Sequence, residues 1–289
     1  IASQRGAHSE ASGYAARVLE REPGLPGPSL ALAKAELAAG RAADAEARMA
    51  AVIADPRPTE LERADAWNLV GEARDARDDR TGAFEAYRTC NELLKSIYSD
   101  RFAQTGDALD YARRLAATLK RAPMPPVPPA PATGPARSHV FLLGFPRSGT
   151  TLLEAVLAGS PDVATLEEQE ALADGVRAWL RNPDDLSALA QAGAAELDAQ
   201  RSAYWTRVRE AGVEPAGKVF IDRYPLNTLK LPLIRRLFPE ARILFAVRDP
   251  RDVLWSCYRR RFQMSAPMYQ LLDMSSGAAF YDAVQSIAQ

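Results

Sequence analysis

The sequence predicts an α/β domain with a parallel sheet and flanking helices, preceded by an all-α domain of helical repeats. Over the first 120 residues or so, apolar residues recur three and four positions apart, as in amphipathic helices. A proline-rich stretch follows, and beyond it short apolar runs alternate with helical segments, which indicates parallel strands covered on both faces. We therefore predict repeats over residues 1–121, a linker over 122–137 and an α/β domain over 138–289.

Composition excludes several classes of protein. The 289 residues include 36 basic and 37 acidic side chains, so no overall charge favours nucleic acid. The longest apolar runs are far shorter than the roughly 18 residues that a membrane-spanning helix needs. Cys90, Cys257, His8 and His139 are too few and too scattered for a disulfide framework or a zinc site. We expect a cytoplasmic protein without a membrane span, a metal or a nucleic-acid partner.

The helical half contains two similar stretches, residues 32–56 and 67–90. Their counterparts Ala45 and Ala83 lie 83 − 45 = 38 positions apart, close to the roughly 34-residue period of tetratricopeptide repeats. The W-x-x-V-G sequence at residues 67–71 also resembles the opening of that repeat. The alternative is a set of ordinary antiparallel helices without repeat ancestry.

Seven prolines fall between residues 122 and 136. This density is incompatible with a helix or a central strand. The stretch is therefore interpreted as an interdomain connector, and a proline-rich motif that binds a partner is the alternative.

The second half alternates predicted strands and helices. Strands are predicted at 140–144, 218–221 and 242–247, because these runs are short, apolar and bounded by turns. Helices are predicted at 227–238 and 250–261. The order predicts a parallel sheet with helices on its faces.

An anion-binding turn is predicted where the first strand passes into a helix. Gly149 lets the backbone approach a phosphate, and Ser148, Thr150 and Thr151 supply amides or hydroxyls at the helix N-terminus. Arg147 adds a fixed charge. The turn is P-loop-like but lacks the lysine of the nucleoside-triphosphate-binding pattern, which disfavours an ATPase or kinase.

A second anion site is predicted at the end of the third strand. Arg248 follows that strand directly, and Ser256 and Arg260 are four residues apart on the predicted helix, which places them on one face. Between residues 218 and 261 there are 11 basic and 4 acidic residues, a surplus of 11 − 4 = 7. A polyanionic ligand explains this surplus, and a solvated basic face is the alternative.

The P-R-S-G-T-T sequence at residues 146–151 resembles the loop with which sulfotransferases hold their donor. Its arginine form is similar to that of tyrosylprotein sulfotransferases and of bacterial tetratricopeptide-containing sulfotransferases. The resemblance implies a sulfotransferase fold and the cofactor 3′-phosphoadenosine-5′-phosphosulfate (PAPS), with 3′,5′-ADP as product and no metal. It assigns the 5′-phosphosulfate to residues 147–151 and the 3′-phosphate to Arg248, Ser256 and Arg260.

The same resemblance implies the catalytic residues. It gives the role of base to Glu168, with Glu167 as the fallback, and adds Arg147 at the donor. On the sequence alone, two glutamates that open a helix over 167–179 are an equal alternative. Arg223 stands where the family has a lysine at the leaving oxygen. It keeps the positive charge, so we expect lysine to serve there equally well or better; the alternative is a two-pronged guanidinium grip that lysine cannot copy.

The predicted function is PAPS-dependent sulfuryl transfer to a hydroxyl-type acceptor. The acceptor is not specified, and the helical repeats favour a peptide or protein, although such an array can instead mediate homodimerisation. The resemblance also implies that further donor-binding segments follow residue 289. The rival interpretations are a non-catalytic tetratricopeptide interaction protein with a degenerate nucleotide-binding half and a P-loop kinase or NTPase.

Overall fold

The computed structural model describes residues 8–104, 107–122, 124 and 134–289. They form two compact units, the first from residues up to 106 together with 258–274, the second from residues 107–257 and 275–289. This division differs from the predicted boundary at residue 121, because the helix over residues 108–121 belongs to the second unit. Most of the predicted proline-rich linker lies outside the described residues.

The helices and strands follow one another along the chain in two patterns, helices alone and then helices alternating with strands. Before the first strand the helices are α1 (His8–Arg21), α2 (Pro26–Ala38), α3 (Ala42–Ala54), α4 (Glu60–Asp75), α5 (Arg80–Gln104) and α6 (Ala108–Arg121). There follow β1 (Ser138–Gly144), α7 (Thr150–Ala158), β2 (Val163–Glu167), α8 (Ala173–Trp179), α9 (Ser187–Gln191), α10 (Ala194–Glu210) and β3 (Val219–Arg223). A 3₁₀ helix (Pro225–Lys230), α11 (Leu231–Leu237), β4 (Arg242–Ala246), α12 (Pro250–Tyr258), α13 (Ala266–Gln270) and α14 (Met274–Ala288) complete the order.

The helices of the first unit approach closely because small residues line their contacts. Ala45, Ala66 and Ala86 are fully buried in one apolar cluster with Met49 and Leu69. Helix α4 begins with a capping box, in which Thr59 accepts from the Glu62 amide at 3.2 Å and donates its own amide to the Glu62 carboxylate at 2.8 Å. The all-helical prediction is thus confirmed for the described residues of this half, whereas the tetratricopeptide assignment stays a prediction.

Residues 258–274 complete the first unit. Leu272 packs in one buried cluster with Ala64, Cys90 and Leu94, and Asn91 donates a hydrogen bond from its side chain to the Tyr258 carbonyl at 3.0 Å. A segment from late in the chain therefore covers α4 and α5.

The sheet of the second unit is parallel with strand order β2-β3-β1-β4. The predicted parallel sheet is confirmed, and the strand over residues 163–167 was not predicted. Its V-A-T-L-E sequence mixes polar and apolar residues and gives little strand signal. Strand β3 runs two residues further than predicted, so that Asp222 and Arg223 belong to it.

The two faces of this sheet differ in character. One face carries Val140, Leu142 and Ile221 and packs against Leu157 of α7. On the other, the aromatic rings of Phe141 and Phe220 pack with side chains of α10 and with Phe238. Because side chains alternate along a strand, Asp222 and Arg223 point to opposite faces.

Two helices differ from the prediction, one in its type and the other in where it ends. The predicted helix over 227–238 is a 3₁₀ helix followed by α11. Helix α12 ends at Tyr258 instead of residue 261, since the next arginines pair outside the helix: Arg259 with Asp75, and Arg261 Nε with Asp65 at 2.7 Å.

Gly71 and Gly13 are both helical glycines of the first unit, but only Gly71 lies in a close contact between helices. Alanine substitutions at the two positions therefore test whether that contact is as close as the structure shows. A Cβ at Gly71 would lie 2.5 Å from Cε1 of Tyr87, whereas at Gly13 nothing lies within 4 Å. Gly13→Ala should raise the free energy of unfolding by up to about 1 kcal/mol through helix propensity. Gly71→Ala should lower it by about 1–2 kcal/mol, because overpacking outweighs the same gain. Urea denaturation of both variants measures the two changes in unfolding free energy. Equal increases would contradict the close contact between Gly71 and Tyr87.

Candidate functional site

The anion loop, residues 145–151, has the backbone of a phosphate-binding turn. It leaves the buried strand β1 and enters α7 with Gly149 as the N-cap residue at φ +101°. Arg147 also has a positive φ, +67°, which is uncommon for a residue with a Cβ. The first backbone amides of α7 have no partners within the helix, as at the start of any helix. These amides are therefore available to bind an anion.

Ser148 carries a buried polar atom in the loop. Within the part of the chain that the structure describes, its Oγ has no hydrogen-bond partner. It fits against Gly144, where a Cβ would lie only 2.8 Å from this oxygen. A buried hydroxyl without a partner costs free energy, so the loop fits an oxyanion that would accept its hydrogen bond.

The two predicted anion sites meet at one edge of the sheet. Strands β1 and β4 are parallel neighbours, so their carboxyl ends lie side by side. Arg147 Nε donates to Ser256 Oγ at 3.0 Å, and the thiol of Cys257 lies 3.4 Å from the Pro146 carbonyl. Arg248 is exposed beyond β4 and pairs with Asp252 at 3.3 Å. The structure thus brings the loop and Ser256 together, and their binding of an anion stays a prediction.

Arg260 lies beyond the end of the helix on which it was predicted. It follows the end of α12 at Tyr258 and so does not share a helical face with Ser256. It belongs to the first compact unit. The helical spacing that grouped Arg260 with Ser256 is therefore wrong.

Arg223 is the buried centre of an ion cluster with Glu154, Glu167 and Glu168, which we call the Arg223 cluster. Its Nε donates to Glu154 Oε2 at 2.6 Å, its Nη1 to Glu168 and its Nη2 to Glu167. The Arg223 and Glu154 side chains are 1% and 9% exposed, while those of Glu167 and Glu168 are 68% and 55% exposed. The cluster therefore runs from the core to the surface.

The sheet register explains this cluster. Arg223 and Glu167 are paired residues of β3 and β2, so both point to the face that α7 covers. Glu168 follows β2 with a positive φ of +45°, and its amide donates to the Arg223 carbonyl at 2.9 Å. Such a conformation in a non-glycine residue costs free energy, and such strain clusters at functional sites.

The predicted role of Arg223 needs correction. A side chain 1% exposed, with three nitrogens engaged by carboxylates, presents no free charge to a leaving oxygen. Burial alone would lower the pKa of Arg223, but the hydrogen bond and charge of Glu154, with the charges of Glu168 and Glu167, outweigh it and raise that pKa. One ammonium cannot reproduce this three-way fork, so the geometry disfavours the expected equivalence of lysine, which stays a prediction.

Sequence reasoning missed two parts of this region. Glu154 was given no role, although an acidic residue inside the apolar T-T-L-L-E-A-V-L-A segment is a signal for a buried partner. The second part lies on the opposite face of the sheet. There the Tyr204 hydroxyl donates to Asp222 at 2.9 Å and lies 2.9 Å from His139 Nε2.

Burial controls the protonation of this second network. It raises the pKa of Asp222 to about 7 and lowers that of His139 to about 3. The hydrogen bond from Tyr204 opposes the rise at Asp222 without cancelling it. The two groups thus favour their neutral forms.

The structure is that of an α/β protein with a P-loop-like turn between β1 and α7 and an ion cluster that includes Glu154 of α7. The profile of the sulfotransferase family, described as "Sulfotransferase family", matches residues 139–289. The chain belongs to this family.

The curated relatives that it matches are protein-tyrosine sulfotransferases. A stretch of 127 residues, 42% of this chain, is 32% identical to protein-tyrosine sulfotransferase 1 of Mus musculus and to protein-tyrosine sulfotransferase 2 of Gallus gallus, and covers 34% of each. The Drosophila melanogaster protein-tyrosine sulfotransferase is 31% identical over 127 residues, with 25% of it covered. The chain thus spans about a third of the length of these relatives. No solved structure was found to match it.

The expected cytoplasmic location is wrong. The match to protein-tyrosine sulfotransferases overturns it, and it leaves the compartment of this chain open. Within the described residues no helix combines the length and apolarity needed to cross a membrane. The described residues also contain no group of three or more histidine, cysteine or acidic side chains suited to a metal ion.

Asp222 gives a pH-dependent contribution to stability with a definite sign. Its pKa is raised from an ordinary value near 3.8 to about 7, so between these values the folded protein binds more protons than the unfolded chain. The stabilising contribution of Asp222 to the unfolding free energy is fully present below pH 4 and is lost as the pH rises to 7. The unfolding free energy of the wild type minus that of Asp222→Asn should therefore fall between pH 4 and 7 and level off above. Urea denaturation across this range measures it. His139 acts with the opposite sign but is present in both proteins, and a pH-independent difference would contradict the assignment.

Proposed function

We propose that this protein transfers a sulfuryl group from PAPS to a hydroxyl acceptor and releases 3′,5′-ADP. The observation that carries the proposal is the hydrogen bond between Arg147 and Ser256, which joins two anion-binding segments at one sheet edge. Their residues suit a ligand with separate phosphate groups better than a single phosphate. The family match over the same region supports this chemistry.

The donor would be held by residues from both segments. Arg147, Ser148, Gly149, Thr150 and Thr151 would bind the 5′-phosphosulfate with amides, hydroxyls and one guanidinium. The unpartnered Ser148 hydroxyl supports this assignment.

The 3′-phosphate would be bound beyond β4. Arg248 and Ser256 are proposed to hold it, while the contact proposed for Arg260 rests on the resemblance alone. Bound in this way, PAPS supplies a sulfuryl group activated by its phosphate leaving group.

Glu168 is proposed as the base that takes the proton of the acceptor hydroxyl. Its side chain is half exposed, so an acceptor can reach it, and it lies at a strained backbone position. Arg223 links it to Glu154 of α7, the helix that the anion loop enters. The names of the relatives suggest a protein tyrosine as acceptor. A phenol with a pKa near 10 is mostly protonated at neutral pH, so a positioned base assists its attack.

The helical first unit is proposed to be tetratricopeptide-like and to bind a peptide or protein acceptor, or a second copy of the chain. The closely packed alanines and Gly71 support the repeat assignment. The two rival functions have weaker support. A kinase or NTPase would need a loop lysine, and a purely non-catalytic protein would leave the strained Glu168 unexplained.

The nucleotide ranking tests the donor site. If both anion segments bind one bisphosphate, 3′,5′-ADP should raise the melting temperature well above the effect of ATP or 5′-AMP. At a ligand concentration of 100 times Kd the stabilisation is about 2.7 kcal/mol. Ser256→Ala and Arg248→Met should remove most of the preference for the 3′-phosphate, because a charge-assisted contact is worth about 1.5–3 kcal/mol. Equal shifts from the three nucleotides would count against the assignment.

Glu168→Gln tests the base. Turnover should fall at least roughly a hundredfold, because a general base contributes about 10²–10⁴, while the affinity for 3′,5′-ADP stays nearly unchanged. Labelled PAPS with tyrosine-containing peptides measures transfer. Glu167→Gln also removes a carboxylate partner of Arg223 and is the matched control. If turnover falls in Glu167→Gln but not in Glu168→Gln, Glu167 is the base.

A further inference from the structure

We propose that Glu154 is a positioning residue that ties the base Glu168 to the anion-loop helix through Arg223. The inference rests on the proposed function, since it concerns how that site is aligned. It gives Glu154 and Arg223 one joint role: they hold Glu168 in place and do not themselves touch the donor.

Burial within the Arg223 cluster is asymmetric. Glu154 and Arg223 are both more than nine-tenths buried, with 2.6 Å between Oε2 and Nε. Glu167 and Glu168 are mostly exposed and are bound to the outer nitrogens of the guanidinium. The buried pair of Glu154 and Arg223 is therefore the rigid part of the cluster, and Arg223 holds the exposed carboxylates of Glu167 and Glu168.

Glu168 has two links to Arg223. Its carboxylate accepts from Nη1, and its amide donates to the Arg223 carbonyl at 2.9 Å. Both links come from one residue, and together they fix the strained backbone at Glu168 as well as its side chain. A base must be aligned within a few tenths of an ångström of its reactive geometry, so this support has kinetic value.

Glu154 connects the Arg223 cluster to the anion loop. Glu154 lies in α7, the helix that begins at Thr150 directly after Gly149. An anion bound at the N-terminus of α7 steadies the helix that carries Glu154. Donor binding and base alignment are thereby coupled through a continuous set of ionic contacts.

The experiment compares Glu154→Gln with a control that also loses an ion pair in the same unit. Asp174 pairs with Arg177 and with Arg207, in the latter case at 2.8 Å, and contacts none of the site residues in these pairs. Asp174→Asn is therefore expected to lower stability without changing turnover.

Three readouts separate positioning from general destabilisation. Glu154→Gln should lower kcat about 10- to 100-fold, while KM for PAPS and the Kd for 3′,5′-ADP stay nearly unchanged. In the wild type, 3′,5′-ADP should slow hydrogen exchange of the Glu168 amide; in Glu154→Gln this amide should exchange faster and respond little to the nucleotide. Arg223→Lys should behave like Glu154→Gln, because one ammonium cannot serve three carboxylates.

Several results would overturn the proposal. Wild-type kcat together with wild-type exchange in Glu154→Gln would do so, as would a loss of 3′,5′-ADP affinity as large as the loss of kcat. If Glu154→Gln does not fold, Glu154→Asp keeps the charge with a shorter reach and should lower kcat at unchanged nucleotide affinity; wild-type kcat and exchange would again refute the role. If the wild type transfers no sulfuryl group, the proposed function fails, and the exchange experiment still decides whether Glu154 couples the loop to Glu168.

Discussion

The burial of one positive charge among three carboxylates is the constraint on which the site depends. A guanidinium that is 1% exposed must be paired, because an unpaired charge in the interior is far more costly than the pair itself. Here the partners come from a helix and from the end of a neighbouring strand. Satisfying Arg223 therefore fixes α7, β2 and β3 relative to one another, at the edge of the sheet where the anion loop begins.

The sequence was sufficient to predict the turn between β1 and α7, because its signals are local. A buried strand, then glycine and hydroxyl residues, then a helix define such a turn within ten positions, and the positive φ of Gly149 agrees with it. The partners of Arg223 could not be predicted in the same way. They depend on the register between β2 and β3, and β2 lacks the periodicity that would have identified it as a strand.

The sequence did not predict the end of α12 or the buried network around Tyr204, and the reason is the same in both cases. Helix α12 ends where Arg259 and Arg261 pair with acids almost 200 residues earlier in the chain. The Tyr204 hydroxyl joins Asp222 and His139, which lie 18 and 65 positions away. Local propensity contains no information about such partners, so tertiary contacts decide the outcome.

The first unit is made from two separated parts of the chain, and this affects the order in which it can form. Leu272 covers Ala64, Cys90 and Leu94, but during synthesis the ribosome adds it some 180 residues after Cys90. Until then these apolar side chains lack their final cover. The helical half is thus not an independent module that finishes folding before the sheet is made; its last layer arrives only after every strand of β1–β4 has been synthesised.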